Sequence, residues 1–321
     1  MIPVLTTSDI QKKISEHSYP AQKTYLAMYS TWWGGIIKDP AMMMVPIDDH
    51  LVHRGDGVFE AIKVVDGKVY LMEEHLKRLE SSAQIIGLPL PMPLENIRNV
   101  LLETTKVSGT ENAVLRLYIS RGPGHFSTNP YDSIGSQMYL VVTHLTRLSD
   151  QKYQDGVKIG KSKIPPKESW LAKIKTCNYL PNVMMKKESV DRHLDFTIGI
   201  DHQGFLTEGS TENIVIVDKD GNLLRPELRQ ILKGTTMIRT LELADSLLKT
   251  GKIKSISEKN LTEKDLQTAK EAMMIGTTLD VLPVSEYEGQ KIGEGRQGPV
   301  AKELLSLLRE DMKSGPKATA I

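Results

Sequence analysis

The chain has 321 residues, 40% hydrophobic and 25% charged, with 41 Lys+Arg against 40 Asp+Glu for a formal net charge of +1. That composition excludes a disordered or fibrous chain, the near-neutral charge removes the electrostatic case for nucleic acid or an acidic membrane as main partner, and the length suits two domains. The sole cysteine, Cys177, excludes an internal disulfide or thiolate cluster, and neither a signal peptide nor an apolar run of ~18 residues stands in the sequence, so a cytoplasmic globular protein is expected.

The first 35 residues, ending in Trp32-Trp33-Gly34-Gly35, carry no readable period. Gly57 to Val65 and Lys68 to Leu71 then read as strands joined by Asp66-Gly67, a tight-hairpin dipeptide. Glu73 to Ile86 follows as a helix, with Leu76, Leu79, Ala83 and Ile86 at three- and four-residue spacing, and Leu94 to Val107 as a second one behind Pro93. Asn112 to Arg121 alternates: Ala113, Leu115, Leu117 and Ile119 face one way, Arg116 and Ser120 the other. Gln137 to Thr143 reads as a buried strand.

The polar stretch Thr146 to Gly156 marks the expected boundary: a small N-terminal domain over 1–145, a linker over 146–155 and a larger domain over 156–321. The second part reads as a strand near Val157, a helix from Pro181 to His193 and strands at Phe196–Ile200 and Asn213–Val217. A periodic helix over Thr235–Leu248, a strand over Glu271–Ile275, a helix over Val300–Leu308 and a loose tail complete it. Strands and helices alternate in both halves, so the class is α/β or α+β.

Gly293-Glu-Gly-Arg-Gln-Gly298 matches G-x-G-x-x-G in form only. A dinucleotide fingerprint needs a strand before it and an acidic residue about 20 positions on within a βαβ unit, and here the preceding segment is polar and the chain ends too soon. Asp48, Asp49, His50 and His53 have metal-like spacing, but a second ligand group is missing; a solvated loop is the expected reading, with no metal.

Lys173 and Lys175 stand in an apolar, extended stretch that runs through Cys177 and Tyr179 to a helix opened by Pro181. On the residues alone the pair reads as two surface lysines on a strand edge; a lysine moved into a desolvated pocket instead favours its neutral amine and becomes a nucleophile. Thr207-Glu-Gly209 supplies an acid. Lys233-Gly-Thr-Thr236 at a helix start and Gly276-Thr-Thr278 after a strand offer backbone N–H groups and hydroxyls, which suits phosphate and equally suits an ordinary N-cap threonine. One lysine, one acid and two phosphate turns are what a pyridoxal phosphate site requires.

These motifs make the chain recognisable. Through His53-Arg-Gly-Asp-Gly-Val-Phe-Glu60, Glu74-His-Leu-Lys-Arg-Leu79, Lys175-Thr-Cys-Asn-Tyr-Leu-Pro-Asn182, Thr207-Glu-Gly209 with Asn213, Lys233-Gly-Thr-Thr236 and Met274-Ile-Gly-Thr277 it resembles the fold-type IV pyridoxal-phosphate enzymes. That group holds branched-chain aminotransferases, D-amino-acid aminotransferases and aminodeoxychorismate lyases. Within it the chain looks most like the D-amino-acid transaminase and aminodeoxychorismate lyase-like proteins.

The resemblance implies two mixed α/β domains, the cofactor pyridoxal 5′-phosphate at their interface, and a homodimer. It assigns Lys175 as the Schiff-base lysine, with Lys173 the less favoured neighbour. Tyr179 matches the tyrosine on the cofactor's ring oxygen and Glu208 the carboxylate facing the pyridine nitrogen. Arg78, Thr235, Thr236 and Thr277 match the phosphate site. Phe59, Lys63, Arg121, His125 and Thr278 are the substrate candidates. The implied reaction moves an amino group between an amino acid, D-amino acid favoured, and a 2-oxo acid. Alternatives are a lyase releasing pyruvate from aminodeoxychorismate, a branched-chain L-amino-acid aminotransferase, and a non-catalytic cofactor-binding protein. The carboxylate clamp of the bacterial D-amino-acid enzymes is absent, since Phe126 and Thr128 occupy its positions.

Overall fold

The computed structural model describes residues 1–167 and 169–321, residues 15 and 169 by their backbone only. These residues fall into two compact units, 1–145 with 319–321, and 146–318.

The first unit contains α1 (Thr7–Glu16), β1 (Tyr25–Ser30), β2 (Gly35–Ile37), α2 (His50–Arg54), β3 (Gly57–Val65), β4 (Lys68–Tyr70), α3 (Met72–Ile85), α4 (Leu94–Ser108), β5 (Ala113–Ser120) and β6 (Gln137–His144). Its seven-stranded sheet runs from the C-terminal strand Ala318–Ala320 through β4, β3, β5, β6 and β1 to β2. Asp66 and Gly67 take left-handed φ values of 49° and 70°, as the two-residue turn between β3 and β4 requires. One face of the sheet buries Val58, Ile62, Leu115, Leu117 and Leu140, and the buried stripes of α3 (Leu76, Leu79) and α4 (Ile97, Leu101) complete the core. Each such side chain contributes about 1.5–3 kcal/mol on burial.

The second unit contains α5 (Asp150–Asp155), β7 (Val157–Lys161), α6 (Ser169–Ala172), α7 (Leu180–Asp191), β8 (Phe196–Ile198), β9 (Asn213–Val217), β10 (Asn222–Pro226), α8 (Thr235–Leu243), α9 (Asp245–Lys249), β11 (Ser255–Lys259), α10 (Glu263–Gln267), β12 (Glu271–Gly276), β13 (Asp280–Tyr287), β14 (Gln290–Lys291) and α11 (Pro299–Ser314). Its sheet has the order β11-β10-β9-β12-β13-β7-β8, antiparallel in the middle and parallel towards both edges. The unbroken apolar runs Ile214–Val217 and Ala272–Ile275 are buried on both faces, as central strands of a covered sheet must be.

Several expectations are corrected. The stretch 146–155 is no plain linker: Ser149 caps α5, and Tyr153 is buried with its hydroxyl donating to the Leu279 carbonyl at 3.0 Å. The tail is not loose, because Ala318–Ala320 adds a strand and the Ile321 N–H donates to the Gly67 carbonyl at 3.1 Å. The helix expected over Thr235–Leu248 divides at Ala244. Strand β13 was hidden by Pro283, which is tolerated because its side of the strand faces Gly156, just ahead of the first β7 pair at Val157.

Candidate functional site

The second unit holds the expected amine, carboxylate and phosphate turns at the ends of its elements. Lys175 lies between α6 and α7, Glu208 between β8 and β9, Thr235 and Thr236 at the start of α8, and Thr277 in the turn joining β12 to β13.

Pro181 in the first turn of α7 fixes where that helix begins, directly after Tyr179. The Lys175 Nζ stands 5.8 Å from the centre of the Tyr179 ring. The Lys167 Nζ stands 4.8 Å from the same centre, a cation–π distance. Lys175 and Tyr179 are half-buried, whereas Lys173 is exposed.

Glu208 is held at both its backbone and its carboxylate. Its carbonyl accepts the Gly199 N–H at 3.0 Å, and its Oε2 accepts the Leu232 N–H at 3.0 Å. The Leu232 carbonyl in turn accepts from Asn213 Nδ2 at 3.0 Å. Asn182 on α7 donates to the Ser210 carbonyl at 2.5 Å, tying the helix behind Lys175 to the loop that carries Glu208. Glu208 keeps some accessible surface, yet crowding by protein atoms desolvates its carboxyl and pushes the pKa up to about 7. The Leu232 N–H and the ammonium groups of Lys167 and Lys175 pull against that rise, while the charge of Glu212 adds to it.

Gly234 is the N-cap of α8 and brings no side chain of its own to the first N–H groups. A helix start of this kind attracts an anion. Thr235 is half-buried there, and Thr236 is 3% exposed, so its hydroxyl is less open than the sequence suggested. In the β12–β13 turn the Leu279 N–H donates to the Gly276 carbonyl at 3.2 Å, and a Cβ on Gly276 would lie 3.7 Å from the Thr211 carbonyl oxygen, so this turn borders the Glu208 loop. Thr277 is half-buried and Thr278 exposed. This donor set fits pyridoxal phosphate. The α8 start with its threonines suits a phosphate, Glu208 a cationic ring nitrogen, and the Lys175 amine an aldehyde.

In the first unit, Arg78 forms a fork with Glu60, Nε to Oε1 and Nη2 to Oε2 both at 2.7 Å, and His75 Nδ1 lies 2.7 Å from the same carboxylate. Burial favours the neutral acid at Glu60, but Arg78 and then His75 outweigh it and bring the pKa down to about 2. The guanidinium of Arg78 is thereby fixed in direction. On the opposite face of β3, Phe59 stacks on Tyr118 with centroids 5.9 Å apart, and Lys63 is 5% exposed. Arg116, exposed and paired in register with Ala61, shares that face.

Two more substrate candidates lie at the end of β5 and just beyond it. Arg121 forks onto Asp56, with both contacts at 3.0 Å, and also donates to the carbonyls of Ile86 at 3.1 Å and Gly87 at 2.7 Å. It anchors the strand end rather than reaching outward. His125 is exposed in the following loop. The Asp48–His53 segment is no solvated loop either. Asp49, fully buried, caps α2 and accepts the hydroxyls of Ser120 and Tyr139, each at 2.8 Å, which also draws Ser120 inside. Among the described residues no group of three or more His, Cys, Asp and Glu side chains could hold a metal ion.

The polyglycine stretch has a structural explanation. The Glu271 carboxylate accepts the N–H groups of Val300 at 3.0 Å and Ala301 at 2.8 Å, capping α11. A Cβ at Gly298 would fall 2.2 Å from the Glu271 carboxyl carbon.

Two contributors were not read from the sequence, Lys167 and the Leu232 N–H. Pro165-Pro166 holds the approach to Lys167 extended but does not mark the lysine, and a backbone N–H leaves no signal at all.

Among the described residues no helix is long and apolar enough to cross a membrane. The model of the class IV amino-transferases matches residues 57–287. A D-amino-acid transaminase, chloroplastic, of Arabidopsis thaliana is 37% identical over 321 residues, which cover 100% of this chain and 85% of that one. A putative branched-chain-amino-acid aminotransferase of Methanocaldococcus jannaschii is 32% identical over 269 residues, 83% of this chain and 90% of that one. A solved branched-chain amino acid aminotransferase from T.th., with pyridoxamine 5′-phosphate, superposes with a TM-score of 0.85 at 23% identity, covering 92% of this chain and 98% of that one, so the two share the fold.

Proposed function

The chain belongs to the class IV amino-transferase family, and we propose that it uses pyridoxal 5′-phosphate to move an amino group between a D-amino acid and a 2-oxo acid. The observation that carries the chemistry is the set Lys175, Tyr179 and Glu208 in one unit with the Gly234-capped start of α8. The D preference is supported by the Arabidopsis relative, which matches along the whole chain.

Bound in this site, the cofactor supplies an aldehyde for the amino group and a ring that accepts an electron pair. Lys175 Nζ would hold the cofactor by its aldehyde, and its free amine would be the base that takes and returns the substrate α-proton. The Glu208 carboxylate, oriented by the Leu232 N–H, keeps a proton on the ring nitrogen, and that proton strengthens the ring as an electron acceptor. Tyr179 offers its phenol to the ring oxygen. Thr235, Thr236 and Thr277 hold the phosphate, and Arg78 is assigned to it by family correspondence. Phe59, Lys63 and Thr278 remain proposed substrate residues on the same ground. A homodimer and a cytoplasmic location complete the proposal, tested by light scattering of the purified chain and by cell fractionation.

The reconstituted protein is given D-alanine, L-leucine or aminodeoxychorismate, each with and without 2-oxoglutarate. Pyruvate from D-alanine only when 2-oxoglutarate is present supports the reading. Transfer from L-leucine instead moves the chain to the branched-chain enzymes. Pyruvate from aminodeoxychorismate without an oxo acid makes it a lyase.

A further inference from the structure

Two lysines, not one, attend the Tyr179 ring, and the second lies outside every motif described above. Lys167 follows Pro165-Pro166, and a Cβ at Gly199 would lie 3.6 Å from Pro166 Cγ. Gly199 is the residue whose N–H holds the Glu208 carbonyl, so the segment carrying Lys167 packs on the backbone that carries Glu208. The Lys167 Nζ ends 4.8 Å from the Tyr179 ring centre, half-buried.

We propose that Lys167 is a positioning residue of the site, a fixed ammonium seated on Tyr179 that keeps Glu208 a carboxylate for a cationic ring nitrogen. This rests on the reading of Glu208 given above. The charges agree with the geometry: burial lowers the Lys167 pKa while Glu208 opposes that shift, and Lys167 precedes Lys175 among the charges acting on Glu208. The groups facing Glu208 are Lys167 ahead of α6, Lys175 ahead of α7, Glu212 in its own loop and the Leu232 N–H ahead of α8. Removing the first of these leaves desolvation and the like charge of Glu212 less opposed, so the acid form gains.

The test measures pyridoxal phosphate binding to the cofactor-free protein from pH 5.5 to 9. The wild-type affinity rises with a midpoint near the Glu208 value of about 7. In Lys167→Met the midpoint moves up by about one unit, leaving the affinity at neutral pH about fivefold weaker and nearly restored in alkali. Lys167→Arg keeps the midpoint near that of wild type, and Lys163→Met, an exposed neighbour, leaves it in place. A loss equal at every pH, or an unmoved midpoint in Lys167→Met, overturns the proposal. A cycle with Glu208→Gln gives a second arm. In that background Lys167→Met must cause no further pH shift, and an undiminished shift there also overturns it. A wild-type chain that binds no pyridoxal phosphate at any pH sinks the functional reading instead, and so is told apart.

Discussion

Gly234 lies so close to Asn213 that a Cβ at Gly234 would stand 1.9 Å from Asn213 Oδ1. The same asparagine donates to the Leu232 carbonyl, and the Leu232 N–H donates to Glu208, so the turn ahead of α8, the asparagine and the acid form one connected unit. Gly234→Ala forces that unit apart, with an expected loss of about 1–3 kcal/mol in stability. Asn213→Ala strands a carbonyl and costs a similar amount. Urea melts of both variants check this, and each should also release pyridoxal phosphate faster than wild type. Wild-type retention of the cofactor in Gly234→Ala would show that the phosphate turn and Glu208 are independent.

Lys175 is expected to carry the cofactor. Borohydride reduction of the reconstituted enzyme followed by peptide mapping should place the label on Lys175 and leave Lys173 and Lys167 unlabelled. Lys175→Ala should lose about 2–4 orders of magnitude in turnover while the fold persists, as expected when a general base is removed. A label on Lys167 would exchange the roles of the two amines beside Tyr179.

How far the sequence carried this site depends on where each group's signal resides. Lys175, Tyr179, Glu208, Thr235 and Thr277 sit in short runs whose roles came from the family resemblance rather than from residue type alone, and all of them lie in one unit. The hairpin at Asp66-Gly67 was legible because positive φ at both residues restricts the choice of amino acid. Lys167 was not legible, since a lysine directly after paired prolines looks like any surface lysine until the fold turns it towards Tyr179. Arg121 shows the reverse: its position fits an anion clamp, and the structure occupies its guanidinium with Asp56, 65 residues away in sequence. Asp49 and Ser120 are polar in sequence yet buried because they satisfy each other, a pairing no local pattern shows.

The pH dependence of stability follows from two acids shifted in opposite directions. Glu208, raised to about 7, binds its proton more tightly folded than unfolded. Its contribution to stability is therefore complete below the ordinary carboxylate value of about 4.5 and disappears as pH rises through about 7, a loss of no more than about 3 kcal/mol. Glu60, lowered to about 2, contributes above about 4.5 and loses that contribution as pH falls through about 2. Cofactor-free protein should thus be less stable at pH 8 than at pH 5, and Glu208→Gln should flatten that slope. Chemical melts at pH 5, 6, 7 and 8 check it; an unchanged slope in the variant would assign the effect to another group.

Arg121 separates an anchoring role from a substrate role. Its guanidinium joins the Asp56 carboxylate to the carbonyls of Ile86 and Gly87, just past the end of α3. Asp56 also lies 3.2 Å from His50 Nδ1; desolvation raises its pKa, but Arg121 and then His50 prevail and hold it below the usual carboxylate range. Arg121→Ala removes the stronger partner from a half-buried acid and should cost about 1–3 kcal/mol in stability. At a temperature where the variant is still folded, KM for the 2-oxo acid should stay within about twofold of wild type, since no substrate-binding energy is lost. A rise in KM of about tenfold or more, with stability unchanged, would return Arg121 to the substrate carboxylate.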